Sequence, residues 1–294
     1  MTLQPPSVGY LGPPCSYSHQ AALEAFDADT HCFVPQTTIA DIFSAVESGS
    51  VTHGVVPFEN STNGSVVFTL DLFRACASTY PSLAVTGETY LTVHHSLLSS
   101  VSTSEIKDVK RIYSHPQAFG QCELWLNSML KGVERVDVSS TSRAAQIAAS
   151  EPGAAAIASA LAAEQNLELR VMARNIEDTP DNTTRFFVIS ATERSTESRE
   201  GGDKTLLSFT VDHAQPGALC DSLQVFKDFG LNLTNICSRP SRKRHWNYIF
   251  FVEFEGHADT ENVQAALKAL GRFTADMRVL GSYVNKQPKI RAEI

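Results

Sequence analysis

The sequence predicts an α/β domain followed by a smaller domain in which strands and helices alternate differently. Residues 8 to about 191 alternate short apolar runs with amphipathic runs, which is the pattern of a domain built on a largely parallel sheet. Residues 192–204 hold seven charged residues and two glycines but no large apolar side chain, which is typical of a linker. Beyond this linker, the order strand–helix–strand–strand–helix–strand is that of a ferredoxin-like fold. A chain of 294 residues is long enough for both domains.

The first half of the α/β domain is predicted to contain three strand–helix pairs. Helix 38–47 has the clearest pattern, because its apolar residues recur at helical spacing and form one stripe. Apolar runs that lie beside Gly or Pro predict the strands. The strands are 8–12, 31–35 and 54–57, and the helices are 18–26, 38–47 and 66–77.

An extended stretch, 83–98, leads to a second half with the same alternation. Its predicted strands are 111–114, 133–138, 154–158, 169–173 and 184–189, and its helices are 116–130, 141–149 and 161–166. We expect the last strand to return to the first half. The larger domain would then span 7–191, with one lobe of about 7–82 plus 181–191 and another of about 90–175. Clefts between such lobes are preferred sites for small molecules.

The smaller domain is expected over residues 205–285. Its predicted strands are 206–211, 232–238, 246–255 and 277–284, and its helices are 218–229 and 260–270. The apolar stripe on the first of these helices is fully explained by packing in a core.

Composition and charge exclude several classes of protein. Hydrophobic residues make up 43% and charged residues 19% of the chain, the balance of a folded protein. The net charge of −8 argues against a nucleic-acid binder, and no apolar run reaches the roughly 18 residues of a membrane span. The first residues lack a signal peptide pattern, so a cytoplasmic location is expected. The six cysteines and nine histidines show no metal-binding spacing, so we expect no metal and no cofactor.

Four polar clusters lie where predicted strands meet helices or loops. Each has an ordinary structural interpretation; Ser114 and Gln117, for example, fit a helix capping box. Together, hydroxyls and amides at helix N-termini with one arginine describe a pocket for a polyanionic organic molecule. The clusters are Glu59–Asn60–Ser61, Ser114–His115–Pro116–Gln117 with Gln121, Ser139–Ser142, and Thr183–Thr184–Arg185.

Five ordered motifs resemble the prephenate dehydratase family. They are Gly9–Pro13 with Ser18–Ala21, Gly54–Ser61, Ser114–Gln117 and Asn182–Phe186, followed by a tail whose Pro216–Leu219, Asn232–Thr234 and Ser238–Ser241 segments resemble an ACT regulatory domain. The resemblance covers about residues 8–284. It implies a two-lobed catalytic domain like type II periplasmic binding proteins and a ferredoxin-like ACT domain.

The resemblance implies decarboxylating dehydration of prephenate to phenylpyruvate, a carbon–oxygen lyase step of phenylalanine biosynthesis. Aromatisation drives this reaction, so the family pattern requires no cofactor. Thr184, Arg185 and Glu59 are the expected catalytic residues, with Thr184 giving a preorganised hydrogen bond to the leaving hydroxyl. In a regular strand, however, Thr184 and Arg185 face opposite sides. The expected substrate-binding residues are Asn60, Ser61, Ser114, His115, Gln117, Gln121, Thr183 and Phe186.

The resemblance also implies feedback control by L-phenylalanine and a homodimer or homotetramer. The expected effector-binding residues are Gly217, Ala218, Leu219, Asn232, Leu233, Ser238, Arg239 and Pro240. Two departures from the family pattern stand out: Pro14–Cys15 replaces a Glu-Gly pair, and Cys237 replaces a glutamate whose carboxylate could pair with an amino-acid ammonium group. Alternative functions are an arogenate dehydratase and a non-catalytic amino-acid sensor with the same fold.

Overall fold

The structure is a computed structural model that describes residues 5–191 and 202–288. Most of the predicted linker, 192–201, lies outside these residues. The last two linker residues, Asp203 and Lys204, belong to the first strand of the second domain. In the described part of the chain, no helix combines the length and apolar character that crossing a membrane requires.

The first lobe is built on a mixed sheet. Its elements up to the crossover are β1 Ser7–Leu11, α1 Tyr17–Ala25, β2 Cys32–Gln36, α2 Ile39–Glu47, β3 His53–Asn60, β4 Gly64–Ser65, α3 Val67–Ala75 and β5 Ala84–Thr92. Strand β1 pairs in parallel with both β2 and β3, as the strand–helix alternation predicts. Helix α2 begins with a capping box between Thr38 and Asp41.

The second lobe has its own five-stranded sheet. Its elements are β6 Ser96–Ser100, a 3₁₀ turn Ile106–Asp108, β7 Arg111–Ser114, α4 Pro116–Gly120, α5 Glu123–Met129, β8 Glu134–Asp137, α6 Thr141–Ser150, β9 Ala154–Ala158, α7 Leu161–Glu164 and β10 Leu169–Ala173. The strand order is β10-β6-β9-β7-β8, with parallel pairs only around β7. The predicted helix 116–130 is therefore two helices. The break is held by tertiary hydrogen bonds, because the Asp178 carboxylate accepts from Leu124 N–H and Asp178 N–H donates to the Gln121 carbonyl.

Two connections join the lobes. The predicted stretch 83–98 crosses between them after β5, so the first lobe extends to Thr92 and the second begins later than residue 90. Strand β11, Thr183–Ser190, returns to the first sheet as predicted. It pairs antiparallel with both β3 and β5, which gives the order β2-β1-β3-β11-β5. The sheet is consequently mixed rather than largely parallel.

The second domain has the predicted βαββαβ order. Its elements are β12 Asp203–Thr210, α8 Ala218–Asp228, β13 Leu233–Pro240, β14 Tyr248–Glu255, α9 Glu261–Leu270 and β15 Asp276–Val284. The antiparallel sheet has the order β13-β14-β12-β15, and both helices pack on one face through a core that includes Phe226, Phe254 and Leu270.

The other face of this sheet packs on the first lobe. Leu206, Phe251, Leu280 and Tyr283 belong to the same buried cluster as side chains of α2, α3 and β11. Strand β15 lies against β5, and Gly281 permits this approach because a Cβ built there would sit 2.0 Å from the Val85 carbonyl oxygen. The two domains therefore share a continuous apolar core.

Candidate active site

The cleft predicted between the lobes is present and encloses about 410 Å³. It lies at the ends of β3 and β11 in the first lobe and faces α4 and α6 of the second. The lining residues are Tyr17, Ser18, Pro57, Asn60, 63–66, Val93, His95, His115, Gln117, Ala118, Gln121, 139–141, Asn182, Thr184 and Phe186. Among the described residues, this lining holds hydroxyls, amides and imidazoles and includes no Arg, Lys, Asp or Glu side chain.

Helix N-termini border the cleft in place of charged side chains. Tyr17 and Ser18 begin α1, Val66 is the N-cap of α3, and Ser140 caps α6 by accepting a hydrogen bond from Arg143 N–H. Each of these helices has nine or ten residues, and the short α4 begins at the same cleft. Unpaired N–H groups and the helix dipole make such termini attractive to anions. Helix N-termini at this cleft therefore favour an anionic ligand.

Thr184 and Asn60 form the central polar pair of the cleft. They are cross-strand neighbours on β11 and β3. Asn60 Oδ1 accepts from the backbone N–H groups of Thr62 and Asn63 at 3.0 and 2.9 Å. These donors are unambiguous, so the NH₂ group of Asn60 must face the other way. There it donates to Thr184 Oγ1 at 2.9 Å and to Asn182 Oδ1 at 2.7 Å.

The hydrogen bond from Asn60 decides how Thr184 can act. A hydroxyl has one proton and two acceptor positions. Since Thr184 Oγ1 accepts from Asn60, its own proton remains available for a group bound in the cleft. Both polar atoms of Asn60 are occupied by protein partners, so the geometry makes Asn60 an orienting group rather than the substrate contact expected from the sequence.

Arg185 and Glu59 do not reach the cleft, which corrects the catalytic roles expected for them. Both are cross-strand partners, and alternation along β3 and β11 turns them to the opposite face of the sheet from Thr184 and Asn60. Arg185 is buried against Glu88 and Glu253, and Glu59 Oε2 accepts from Asn235 Nδ2 at 3.0 Å. Phe186 lines the cleft with Thr184, as alternation predicts.

Three more expected substrate contacts serve the scaffold instead. Ser114 is buried and its Oγ donates to the Ile157 carbonyl at 2.8 Å, so it is neither a helix cap nor a cleft residue. Ser61 and Thr183 brace each other, with Ser61 N–H donating to the Thr183 carbonyl and Thr183 N–H donating to Ser61 Oγ. Both therefore fix the loops that carry Asn60 and Thr184.

The second lobe presents His115, Gln117 and Gln121 to the cleft, as expected. His115, not Ser114, is the N-cap of α4, and its Nδ1 accepts from Gln117 N–H at 3.2 Å. Pro116 occupies the first helical turn, where its missing N–H costs nothing. Gln117 and Gln121 follow one turn apart, and so share one face of the α4 segment.

His95 and Tyr17 complete the site and were missed as site residues from the sequence. His95 is buried, with Nδ1 2.6 Å from Tyr17 Oη and Nε2 2.7 Å from Gln121 Oε1. Burial lowers the pKa of His95, so the ring is neutral at pH 7. With Gln121 Oε1 facing the ring, Nε2 carries the proton and donates to it, and Nδ1 accepts from Tyr17 Oη, which also lies 3.0 Å from the His94 carbonyl oxygen. The Gln121 NH₂ group is then left for the cleft. The unusual His94–His95 pair was the available sequence signal; His94 Nδ1 pairs instead with Glu177 at 2.7 Å.

The expected effector residues lie at two ends of the second domain. Gly217 is the N-cap of α8 with φ +87°, and Asn232 and Leu233 stand at the start of β13. The residues 238–240 end the same strand, where Arg239 pairs with Asp71 of the first lobe at 2.8 Å. Cys237 is half-buried, with its Sγ 3.1 Å from Ser65 Oγ.

A two-lobed α/β domain with a cleft between its lobes, fused to a ferredoxin-like domain, is the architecture of a small-molecule-binding protein with a second, smaller module. Residues 8–194 match the prephenate dehydratase family and residues 205–272 match the ACT domain family. The chain belongs to the prephenate dehydratase family and carries an ACT domain.

Individual relatives agree with this family. The chain is 42% identical over 276 residues to the bifunctional chorismate mutase/prephenate dehydratase of Aquifex aeolicus, covering 94% of this chain and 73% of that protein. The solved prephenate dehydratase of Arthrobacter aurescens in complex with L-Phe superposes with a TM-score of 0.85 at 32% identity, covering 97% and 92% of the two chains. A structure described as a novel type of quorum quenching acylase gives the same TM-score at 30% identity, covering 96% and 98%.

Proposed function

We propose that the interlobe cleft converts prephenate to phenylpyruvate, with Thr184 as the group that assists departure of the ring hydroxyl. The observation that carries this role is the Asn60 amide, which donates to Thr184 Oγ1 and leaves the threonine proton for the substrate. The family membership of the chain supports the reaction itself.

The reaction breaks two bonds and aromatises the ring. The bond from the ring to its carboxylate breaks, the released electron pair enters the ring, and the C–O bond to the hydroxyl breaks at the opposite carbon. The products are carbon dioxide, water and phenylpyruvate, with one proton taken up by the departing hydroxide. A threonine is too weak an acid to be deprotonated outright. Its hydrogen bond stabilises charge as it develops on the leaving oxygen, and the proton comes ultimately from solvent.

Binding of the substrate's two carboxylates is supported by the helix N-termini. Prephenate carries two negative charges, and the cleft offers backbone N–H groups at α1, α3 and α6 together with neutral amides at Gln117 and Gln121. A neutral lining also suits the decarboxylation, because a carboxylate held by an arginine would be stabilised as an anion and would lose carbon dioxide less readily.

Control by L-phenylalanine is the second part of the proposal. The support is the ACT domain itself and the relative from Arthrobacter aurescens that was solved in complex with L-Phe. The candidate effector residues at the start of α8 and along β13 belong to this domain. Strand β13 also ends its sheet, so its outer edge is available for pairing with a second subunit in a homo-oligomer.

The likeness to an acylase structure raises hydrolysis as a competing activity. An acylase needs a nucleophile activated by a base. Thr184, the hydroxyl at the centre of this cleft, is oriented by the Asn60 amide, which is not a base. The geometry therefore favours dehydration.

The test is turnover of prephenate by the purified protein, with arogenate and an N-acyl amide as competing substrates. We expect phenylpyruvate from prephenate, inhibition by L-phenylalanine, and loss of about 10²–10³ in kcat for Thr184→Ala, the usual effect of removing one donor at developing charge. Thr183→Ala is the matched control and should stay within about threefold of wild type, because the contacts of Thr183 with Ser61 run through its backbone and its side chain lies outside the cleft lining. Phenylalanine formed from arogenate alone, or near wild-type kcat in Thr184→Ala, would overturn the assignment.

A further inference from the structure

A buried cluster of four charged side chains lies behind the cleft, on the far face of the strand that carries Thr184. Arg185 and Glu88 come from the catalytic domain, while Lys204 and Glu253 come from the ACT domain. Arg185 is 6% exposed and the other three are fully buried. The cluster has no net charge, and each domain contributes one cation and one anion. No step of the proposed chemistry uses these groups.

Arg185 is the centre of this cluster. Its Nε donates to Glu88 Oε2 at 2.8 Å, and its Nη2 donates to Glu253 Oε2. Lys204 Nζ lies 3.3 Å from Glu88 Oε1 and 3.4 Å from Glu253 Oε1, so both carboxylates bridge the two cations. The guanidinium also stacks over Phe187 at 4.8 Å, which fixes its plane.

Strand β13, which holds candidate effector residues, contacts both the cluster and the neighbouring Glu59. Thr234 Oγ1 on β13 donates to Glu253, which also accepts from Tyr283 Oη of β15 at 2.6 Å. The next residue on β13, Asn235, donates to Glu59 Oε2 at 3.0 Å. Glu59 and Arg185 are cross-strand partners, and they immediately adjoin Asn60 and Thr184. The ACT domain therefore contacts one residue beside each member of the central pair of the cleft.

Buried charges respond sharply to small displacements. Charged groups removed from water depend on close, fully satisfied partners, so a shift of Glu253 or Asn235 must be followed by Arg185 and Glu59. The register of β11 against β3 shifts between Arg185 and Phe186, so the regular ladder is interrupted one residue from Thr184. A displacement of about 1 Å at a reacting group can cost a factor of about 10² in rate.

We propose that Arg185 is a positioning residue through which the ACT domain sets the geometry of Thr184. This inference rests on the proposed function of the cleft and names how its regulation reaches the reacting group. An effector bound along β13 would move Thr234 and Asn235, and the charge cluster would carry that movement to the backbone beside Thr184.

The test uses the full-length protein with Glu253→Gln, which preserves volume and removes a charge that lies in the ACT domain. We expect kcat for prephenate to fall about tenfold while KM changes less than about twofold, because the cleft lining is intact and only the alignment of Thr184 is altered. The midpoint of L-phenylalanine inhibition should shift at least about threefold. Arg185→Lys should keep part of the kcat that Arg185→Gln loses. The double variant Arg185→Gln/Glu253→Gln should lose no more kcat than the more damaging of the two single variants.

Arg278→Gln is the matched control. Arg278 also crosses the domain interface, where its Nη2 donates to the Pro81 carbonyl at 2.8 Å, and this contact involves neither β3 nor β11. It should leave kcat and the inhibition midpoint near wild type. Circular dichroism and calorimetry show whether each variant is folded. Should Glu253→Gln fail to fold, Tyr283→Phe removes a single hydroxyl from the same carboxylate and should lower kcat about two- to fivefold at unchanged KM.

The outcomes separate the two proposals. A wild-type protein without turnover of prephenate overturns the function of the cleft. An active wild-type protein whose folded Glu253→Gln or Tyr283→Phe variant keeps both kcat and the phenylalanine midpoint overturns the role of Arg185. The role of Arg185 is also overturned if these variants are less stable than wild type but keep the wild-type kcat per folded molecule, because the cluster would then contribute only to stability.

Discussion

Replacing Asn60 by aspartate tests the geometry of the cleft with a change of one atom. The carboxylate can still accept from Thr62 and Asn63 N–H, as Asn60 Oδ1 does. It cannot donate to Thr184 Oγ1 when it is ionised. The Thr184 hydroxyl would then turn its proton toward residue 60, and the substrate would lose the hydrogen bond at its leaving oxygen.

The magnitude follows from the role of the lost donor. Removing one preorganised donor at a developing charge costs about 10²–10³ in kcat, or about 2.7–4 kcal/mol. We expect Asn60→Asp to show at least this loss in kcat. KM should rise as well, because the ionised carboxylate places a negative charge in a cleft whose described lining has none and repels a dianionic substrate. The free energy of unfolding should fall by about 1–3 kcal/mol, because Asn182 Oδ1 loses its 2.7 Å donor and faces a carboxylate.

The assay is formation of phenylpyruvate from prephenate across pH 4.5–8.5. This range covers the titration of an aspartate whose ordinary pKa of about 4 is raised in the cleft. Once protonated, the introduced carboxyl group has an O–H that can donate to Thr184, so activity of the variant should recover relative to wild type as the pH falls. Thr184→Val removes the hydroxyl at constant shape. Its loss in kcat should equal that of the double variant Asn60→Asp/Thr184→Val. An Asn60→Asp enzyme within about threefold of wild type, or one whose effect multiplies with that of Thr184→Val, would refute the orientation argument.

Three other perturbations test the domain interface, the buried histidine and the effector response. Gly281→Ala should lower the free energy of unfolding by about 1–3 kcal/mol, because the added Cβ would lie 2.0 Å from the Val85 carbonyl oxygen; calorimetry showing wild-type stability would contradict this. Burial lowers the pKa of His95 from its ordinary value of 6.5, so the folded state binds fewer protons than the unfolded state near that pH. The free energy of unfolding should therefore fall as the pH drops below about 6.5. Denaturant titrations of His95→Gln should show a smaller fall over the same range. Cys237→Glu restores the family carboxylate and should tighten inhibition by L-phenylalanine about threefold or more through pairing with its ammonium group; an unchanged or weaker midpoint in an inhibition assay would count against this role.

The elements themselves were largely predictable from local pattern. The apolar stripe of α2 and the βαββαβ order of the second domain appear where the sequence places them, because periodic burial and turn residues act over a few positions. Strand alternation alone also indicated that Thr184 and Arg185 face opposite sides, and the register with β3 confirms it. The sequence could likewise predict a cleft between two lobes.

Tertiary contacts decided which residues of each polar cluster line the cleft and which stabilise the surrounding loops. Ser114 and His115 are adjacent in sequence but have different partners. The Ser114 hydroxyl donates to the buried carbonyl of Ile157, and His115 is the residue that caps α4. His95 enters the site because the chain between the lobes folds past Tyr17 and Gln121, residues 78 and 26 positions away in the sequence. No local pattern encodes such contacts.

Arg185 shows most clearly the difference between what local sequence predicts and what tertiary packing decides. The sequence alone determined that it follows Thr184, alternates with it and enters a buried strand. Only the packing of the ACT domain on the far face of that strand decided its environment, since Glu253 pairs with Arg185 and Lys204 pairs with Glu88, the other partner of Arg185. A charge can be buried only where partners converge, and this convergence is a property of the assembled fold.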